Sequence, residues 1–365
     1  MKRLSALTAS IAIIATSAGI SHAADESETS LQAALSRQAP QWLQEHNVPS
    51  VAVAYIENGA IAWTAAYGQQ APGEPATAET VYNVASLAKP LVAETAMRLI
   101  AKGETSLDEP ISPVWVDPDV AGNPWHRKLT PEITLTHQVG FLNWRYQTED
   151  TLQFEWEPGT KTGYSGEGYE YLARFLQLKT GTPFQTLLRN EVIAPLDLND
   201  TGFVRQNRLE SRIAMSYGPE GEWGEADTSL PWSGADNLYT TVEDYADFMI
   251  AVMTNDGMTP ELAATRFDIR QDQIALTGCP LPAEYCPTAV GFGLGWEVFE
   301  YESETVVHHG GSDWGEKTLA VFNPETRSGI VIFTNGANGD KMISEVAGLL
   351  WADSLFTKFL AFKAG

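Results

Sequence analysis

The chain has 365 residues, of which 44% are hydrophobic and 19% are charged, a composition typical of a folded protein with a large core. Asp and Glu outnumber Lys and Arg by 47 to 23, so the formal charge is −24. A surface this acidic repels phosphate and anionic lipid, which argues against nucleic acid, anionic membranes and strongly anionic polymers as partners.

The first 23 residues have the pattern of a secretory signal peptide. Lys2 and Arg3 precede an apolar run centred on Ile11–Ile14, and Ser21-His22-Ala23 has the small residues of a cleavage site. We therefore expect a periplasmic or secreted protein in which residues 24–365 form one domain. No later stretch is long and apolar enough to span a membrane, so no stable membrane anchor is expected.

The next elements are a β-hairpin and a helix. Alternating apolar residues predict strands over 50–57 and 61–66, joined at Asn58-Gly59. A helical pattern runs from Leu87 to Lys102 and stops at Gly103. Since proline lacks an N–H and is tolerated in the first turn, Pro90 places the helix start near residue 86.

The sequence Ser86-Leu87-Ala88-Lys89 therefore lies at a helix N-terminus. Residues three apart share a helix face, so the Lys89 amine can reach the Ser86 hydroxyl. Burial and the helix N-terminus both lower a lysine pKa from its usual value of about 10.4, which would make Lys89 a base. The alternative is an ordinary helix start with Ser86 as its cap and Lys89 in solvent, because such tetrapeptides also arise by chance.

Tyr164 occupies a similar position before a second predicted helix. Ser165 precedes that helical pattern, Glu167 falls in its first turn, and Gly181 ends it. A phenol held near a lysine at a helix start can carry a proton from a serine to a leaving group. A tyrosine that only packs on the helix entry is the alternative.

The two cysteines, Cys279 and Cys286, lie in a short turn-rich segment. Because an exported protein meets oxidising conditions, we expect them to form a disulfide, with two free thiols as the alternative. Their spacing does not match a CxxC redox or zinc motif, and neither a metal nor a cofactor is expected.

A third motif, His308-His309-Gly310-Gly311, sits between strand-like runs. Glycines beside a strand allow close approach of a ligand carbonyl, so the Gly311 N–H would complete an oxyanion hole with the N–H of Ser86. Adjacent residues of a strand point to opposite faces, so the two histidines should not share a metal ion. The alternative is a bend or bulge at the glycines.

The remaining elements complete an α+β fold, an α/β sandwich. Strands are predicted over 292–300, 304–308, 316–322 and 328–334, and one terminal helix is indicated by Val346, Leu349, Leu350, Leu355, Phe356 and Leu360. The sequence predicts an antiparallel sheet from both chain ends, about 24–85 plus 290–365, covered by helices. A mainly helical subdomain, about 86–289, is inserted between them, with a cleft at the boundary.

In this order the three motifs resemble those of the serine β-lactamase-like hydrolases, on the branch of class C β-lactamases, D-alanyl-D-alanine carboxypeptidases and carboxylesterases. The resemblance covers nearly the whole chain after the signal peptide and implies the β-lactamase/transpeptidase-like fold. Other segments in family-like order are Val81–Ala85, Leu135–Gly140, Glu157–Thr160, Pro195–Leu198, Leu238–Asp244, Gly291–Trp296 and Phe322–Glu325.

The resemblance implies a role for each motif. Ser86 would be the acylated nucleophile, Lys89 its activating partner and Tyr164 the general acid/base, with oxyanion N–H groups from Ser86 and Gly311. Penicillin-recognising members usually carry Lys-Thr-Gly as the third motif, whereas esterases and some peptidases look more like the His-x-Gly found here. Gly166 stands where many relatives have an asparagine, and a glycine has no side chain to replace that amide. This departure argues against efficient β-lactam hydrolysis.

The sequence thus predicts an exported serine hydrolase that cleaves an ester or amide bond of a small-molecule substrate through an acyl-enzyme. A carboxylesterase or a D-amino-acid peptidase fits best. The alternatives are a β-lactamase or penicillin-binding carboxypeptidase, and a catalytically silent binding module. Candidate cleft walls, each with core packing as its alternative, are Trp144, Arg145, Trp232 and Tyr239. Arg145 is a candidate partner for a substrate carboxylate, which would favour a peptidase, and a surface arginine that binds no substrate is the favoured alternative.

Overall fold

The computed structural model describes residues 18–203, 209–225 and 232–365, so most of the predicted signal peptide lies outside the described residues. The strands are β1 (Ser50–Glu57), β2 (Ala60–Ala71), β3 (Glu74–Pro75), β4 (Tyr82–Asn83), β5 (Gly202–Phe203), β6 (Ser216–Tyr217), β7 (Trp223–Gly224), β8 (Leu238–Thr240), β9 (Ala289–Phe292), β10 (Glu297–Glu300), β11 (Thr305–Ser312), β12 (Lys317–Asn323) and β13 (Ser328–Thr334). The α-helices are α1 (Ala18–His46), α2 (Ala88–Ala101), α3 (Pro131–Leu135), α4 (Gly166–Thr180), α5 (Phe184–Leu188), α6 (Val242–Met253), α7 (Pro260–Thr265), α8 (Gln273–Thr277), α9 (Gly339–Leu350) and α10 (Phe356–Ala364).

The central element is an eight-stranded antiparallel sheet in the order β3-β2-β1-β13-β12-β11-β10-β9. It joins the two chain ends through the β1–β13 pair, in which Val51 lies opposite Thr334. The apolar residues of its strands alternate between two cores. Helices α1, α9 and α10 cover one face, and α2 and α6 cover the other. The predicted α+β fold is therefore confirmed.

One predicted strand and one predicted helix are each split in two. The segment 292–300 forms β9 and β10 with a tight turn between them, in which Gly295 adopts a left-handed φ of 90°. A Cβ on Gly295 would lie 2.3 Å from that of Ala93, so the turn packs directly on α2. The terminal helix is interrupted between Leu350 and Phe356, and Ser354 Oγ accepts a hydrogen bond from the Phe356 N–H at 3.2 Å where α10 begins.

Strand β11 is longer than the predicted 304–308 and contains both motif glycines. Its register with β12 is continuous from Val307 to Ser312, so the glycines form neither a bend nor a bulge. Cys279 and Cys286, between α8 and β9, form the predicted disulfide, with Cα atoms 6.0 Å apart. Within the described ranges no helix has the length and apolar character needed to cross a membrane.

Candidate active site

The turn before α2, which carries Ser86, has a strained backbone at Ala85. Ala85 has a left-handed φ of 47°, which is uncommon for a residue other than glycine. Its N–H donates to Asn83 Oδ1 at 2.9 Å, and the Val84 carbonyl accepts from Thr318 Oγ1 at 3.0 Å. These bonds fix the turn and leave Ser86 partly exposed at the start of the helix.

Lys89 lies one turn further along, fully buried, with its amine against Ser86. The Nζ atom donates to Ser86 Oγ at 2.8 Å and to the Ala235 carbonyl at 2.9 Å. It lies 4.9 Å from the ring centroid of Tyr164 and 5.8 Å from that of Trp144. The two hydrogen bonds hold the amine beside the serine hydroxyl, and its complete burial removes it from bulk water.

Burial lowers the pKa of Lys89 to about 7 because the ammonium form loses its hydration. The nearby carboxylates of Asp236 and Glu170 oppose this shift by stabilising the charged amine. Burial raises the pKa of both acids in turn. Neither acid was identified from sequence as a site residue, since both lie more than 80 positions from Lys89 along the chain. Burial lowers the Lys89 pKa more than the two carboxylates raise it, so a large fraction of the Lys89 amine is unprotonated at neutral pH.

Tyr164 precedes α4, whose first turn is capped by Ser165 Oγ accepting from the Gly168 N–H at 3.1 Å. Burial raises the pKa of the Tyr164 phenol well above its usual value, although a hydrogen bond with Ser86 lowers it in part. The phenol is therefore protonated at neutral pH. The three side chains predicted for catalysis, Ser86, Lys89 and Tyr164, are thus in mutual contact.

His137 is a site residue that the sequence reasoning missed. Its ring stacks on that of Tyr164 with centroids 4.4 Å apart, and its Nδ1 accepts from the Ser165 N–H at 3.0 Å. Burial, together with the charge of Lys89, holds the His137 pKa well below its usual range. The imidazole is therefore neutral and orients the tyrosine by packing. Its contacts with Tyr164 and Ser165 join segments that are 27 and 28 residues apart, so no local pattern indicated them.

The two motif histidines point to opposite faces of β11, as predicted. His309 lies 5.9 Å from Tyr164 between ring centroids, and its Nδ1 donates to the Gly310 carbonyl at 2.8 Å. Burial and the Lys89 charge lower its pKa well below the usual range, so it is neutral. His308 instead lies with its Nε2 atom 3.0 Å from Glu297 Oε2 and its ring 4.7 Å from that of Phe356.

Gly311 brings β11 against the nucleophile turn. A Cβ on Gly311 would lie 2.2 Å from Thr318 Oγ1 and 2.3 Å from the Val84 carbonyl oxygen, so only glycine fits. The strand therefore runs directly beside Ser86. A cavity of about 380 Å³ opens here, lined by Ser86, Tyr164 and the backbone from Gly310 to Ser312.

A sequence model of the Beta-lactamase family matches residues 28–349. The chain belongs to the beta-lactamase family. Penicillin-binding protein 4 of Amycolatopsis lactamdurans is 26% identical over 80% of this chain and 82% of its own length. Esterase EstB of Burkholderia gladioli is 25% identical over 78% and 85%. A solved class C beta-lactamase superposes with a TM-score of 0.74 at 18% identity, over 90% of this chain and 97% of its own.

Gly166 stands where the family resemblance predicts an asparagine, and the ring of Trp144 packs against it. A Cβ on Gly166 would lie 2.8 Å from Cη2 of Trp144, whose ring occupies the space into which a side chain at 166 would project. The Gly166 N–H donates to Asn143 Oδ1 at 2.8 Å. An aromatic ring therefore lies beside Lys89 at a place where many family members carry an amide.

The predicted cleft walls are not walls of the nucleophile's cavity. Trp144, Arg145 and Trp232 line a second cavity of about 750 Å³. Tyr239 is only 1% exposed, packs in a small core cluster with Val81, and lines neither cavity.

Arg145 is already neutralised by carboxylates. Its guanidinium contacts Glu167 at 2.7 Å, Asp117 at 3.3 Å and Asp119 at 3.5 Å. These partners raise its pKa further. Three acids on one guanidinium leave little attraction for a substrate carboxylate, so the predicted pairing is not supported.

Proposed function

We propose that the protein hydrolyses small carboxylic esters through an acyl-enzyme formed on Ser86. The observation that carries this proposal is the hydrogen bond between the buried Lys89 amine and Ser86 Oγ. A lysine whose pKa lies near 7 supplies a lone pair at neutral pH, and a serine hydroxyl becomes nucleophilic when such a base takes its proton.

In the first step Ser86 Oγ attacks the ester carbonyl and its proton passes to Lys89. Tyr164, which is protonated at neutral pH, then donates its proton to the leaving oxygen, and the Lys89 ammonium reprotonates the phenolate. The carbonyl oxygen, negative in the tetrahedral intermediate, is stabilised by the Ser86 N–H and an N–H of the Gly310–Ser312 segment, Gly311 being the one expected from sequence. A water molecule releases the acyl group by the same relay in reverse.

An ester fits the site better than a β-lactam. His309 is a neutral imidazole in a motif that usually carries a lysine in penicillin-recognising relatives, so it offers no fixed cation for a substrate carboxylate. Gly166 offers no side-chain amide to the substrate, and Trp144 fills that space. The similarity to esterase EstB shows that an ester-cleaving relative exists beside the penicillin-binding one. Export, inferred from the signal-peptide pattern, is supported by the disulfide between Cys279 and Cys286.

Covalent labelling tests the proposal. The wild type is expected to gain the mass of a fluorophosphonate on Ser86 and to turn over p-nitrophenyl butyrate, without a lasting adduct from a labelled penicillin. Ser86→Ala should lose both reactions, while Ser106→Ala, which alters an exposed serine, should keep them. A stable penicillin adduct would contradict the esterase proposal and indicate a penicillin-binding carboxypeptidase. The absence of any adduct would indicate a catalytically silent binding module.

The pH dependence of kcat/KM should report the titration of Lys89. Because only the neutral amine accepts the serine proton, activity should rise with pH through a midpoint near 7. Asp236→Asn removes a carboxylate that stabilises the ammonium, so its midpoint should lie at lower pH than that of the wild type. Asp353→Asn makes the same charge change at an exposed site and should not move the midpoint. A midpoint that stays in place, or rises, in Asp236→Asn would contradict this electrostatic coupling.

A further inference from the structure

The C-terminal helix α10 forms part of the wall of the nucleophile's cavity. The match to the beta-lactamase family ends at residue 349, and α10 begins at Phe356. Phe359, Leu360 and Lys363 of this helix line the same cavity as Ser86 and Tyr164. The region beyond the family match therefore adds surface that a substrate bound at Ser86 can contact.

The part of the cavity beneath α10, which we call the apolar lobe, is built from two helices and two strands. Its apolar side chains are Phe292, Leu319, Ile343, Phe359 and Leu360. Four of them are at most 8% exposed, and Phe359 is half-buried. Helices α9 and α10 also contribute the half-buried Asp340 and the exposed Lys363. Glu297 and His308 line the same cavity and lie against each other, with Nε2 and Oε2 3.0 Å apart. The apolar side chains beside them form a concave surface that favours an apolar chain.

The lobe is continuous with the nucleophile across the free edge of β11. Strand β10 pairs with β11 only as far as His308, and in the described ranges the residues that follow have no strand partner on this side. Gly310 lies opposite Leu319 on the face that α10 covers, and it presents no side chain there. A Cβ on Gly310 would make one ordinary contact, with the Thr318 carbonyl oxygen at 3.7 Å, so neighbouring groups do not crowd the strand here.

We propose that the apolar lobe binds an apolar chain of the ester substrate, and that α10 thereby sets the preference for chain length. This inference rests on the proposed ester hydrolysis, because the chain is located relative to a carbonyl bound at Ser86. The chain can belong to the acyl group or to the alcohol. Burial of each methylene contributes about a fourfold gain in kcat/KM or in affinity until the lobe is full.

Two ester series distinguish the acyl side from the alcohol side. p-Nitrophenyl esters from acetate to decanoate vary the acyl chain, and alkyl acetates from ethyl to octyl vary the alcohol. We expect kcat/KM of the wild type to rise along one series by about fourfold per methylene over the first few carbons. A flat response in both series would overturn the proposal.

Variants locate the effect in the lobe. Ile343→Phe fills the lobe and should lower kcat/KM for eight-carbon substrates by at least about tenfold, with little change for two-carbon substrates. Phe359→Ala removes a wall and should reduce the gain per methylene. Phe362→Ala changes a phenylalanine of the same helix that is 56% exposed and does not line the cavity, and it should behave as wild type. Equal chain-length profiles in all four proteins would refute the assignment.

A binding measurement separates this proposal from the proposed function. Ser86→Ala cannot form an acyl-enzyme, so calorimetric titration with p-nitrophenyl octanoate and acetate reports the chain contact without chemistry. Tighter binding of octanoate, lost in Ser86→Ala/Ile343→Phe, supports the lobe even where the wild type hydrolyses no ester. Equal binding of both esters would overturn the lobe while leaving the acyl-enzyme intact. Thermal unfolding of each variant, compared with the wild type, verifies that the fold is retained.

Discussion

Lys89→Met is expected to lower kcat/KM for an ester by about 10³-fold, since it removes the amine that contacts Ser86 Oγ and takes its proton in the proposed reaction. Methionine keeps most of the side-chain volume of a fully buried residue, so packing against Tyr164 and Trp144 should persist. The same variant should react with fluorophosphonate far more slowly than the wild type. Steady-state kinetics and intact mass measure both effects.

Two further substitutions test whether the loss of activity comes from the missing base at position 89. Lys89→Arg retains a cation but no group that loses its proton in the neutral range, so it should be as inactive as Lys89→Met. Lys102→Met, just after the same helix, removes a 53% exposed lysine that pairs with Glu191 and should retain activity. Activity of Lys89→Met within tenfold of the wild type would show that another group takes the serine proton.

Arg266→Met is expected to lower the free energy of unfolding by about 3–5 kcal/mol, the range for breaking a buried ion pair. Arg266 is fully buried and its Nη2 lies 2.7 Å from Glu94 Oε2, a carboxylate that is 1% exposed. Glu94 lies on α2, five residues after Lys89, so this pair joins the nucleophile helix to the end of α7. Denaturant unfolding measures the loss.

Arg266→Met leaves the buried Glu94 carboxylate with Arg98 Nε, at 3.3 Å, as its remaining ion-pair partner within the described residues. We expect the destabilisation to come from this partly compensated charge rather than from lost packing. Glu94→Leu/Arg266→Met removes both charges and should recover much of the stability, since Arg98 keeps its contact with Asp256 at 2.7 Å. Arg270→Met breaks a more exposed pair with Glu132 and should cost at most about 1 kcal/mol. If the double variant is no more stable than Arg266→Met, the cost lies in packing.

Residue spacing and helix-end signals in the sequence correctly predicted features that depend only on nearby residues. The i, i+3 spacing placed Lys89 against Ser86, and Gly181 marked the end of α4. The predictions that failed concern features that depend on contacts between distant parts of the chain. The break between β9 and β10 depends on contact of Gly295 with α2, and no periodicity within 292–300 carries that information.

The electrostatics of the site were beyond sequence reasoning for a similar reason. Asp236 and Glu170 influence the Lys89 amine only because the chain returns to it after many residues. Arg145 gave a false indication of substrate binding because its partners, Glu167 and Asp117, are not its neighbours in sequence. Burial of Tyr239 likewise follows from tertiary packing with Val81.

Because Trp144 contacts Gly166, the residue that evolution can accept at either position depends on the residue at the other. A lineage that acquired asparagine at 166 first would force a side chain into the indole ring, and one that lost the indole first would open the amine of Lys89 to water. Either intermediate is penalised, so the two forms of the site are separated by a step that requires paired replacement. Reconstructions of ancestral sequences should therefore infer the residues at positions 144 and 166 as a pair.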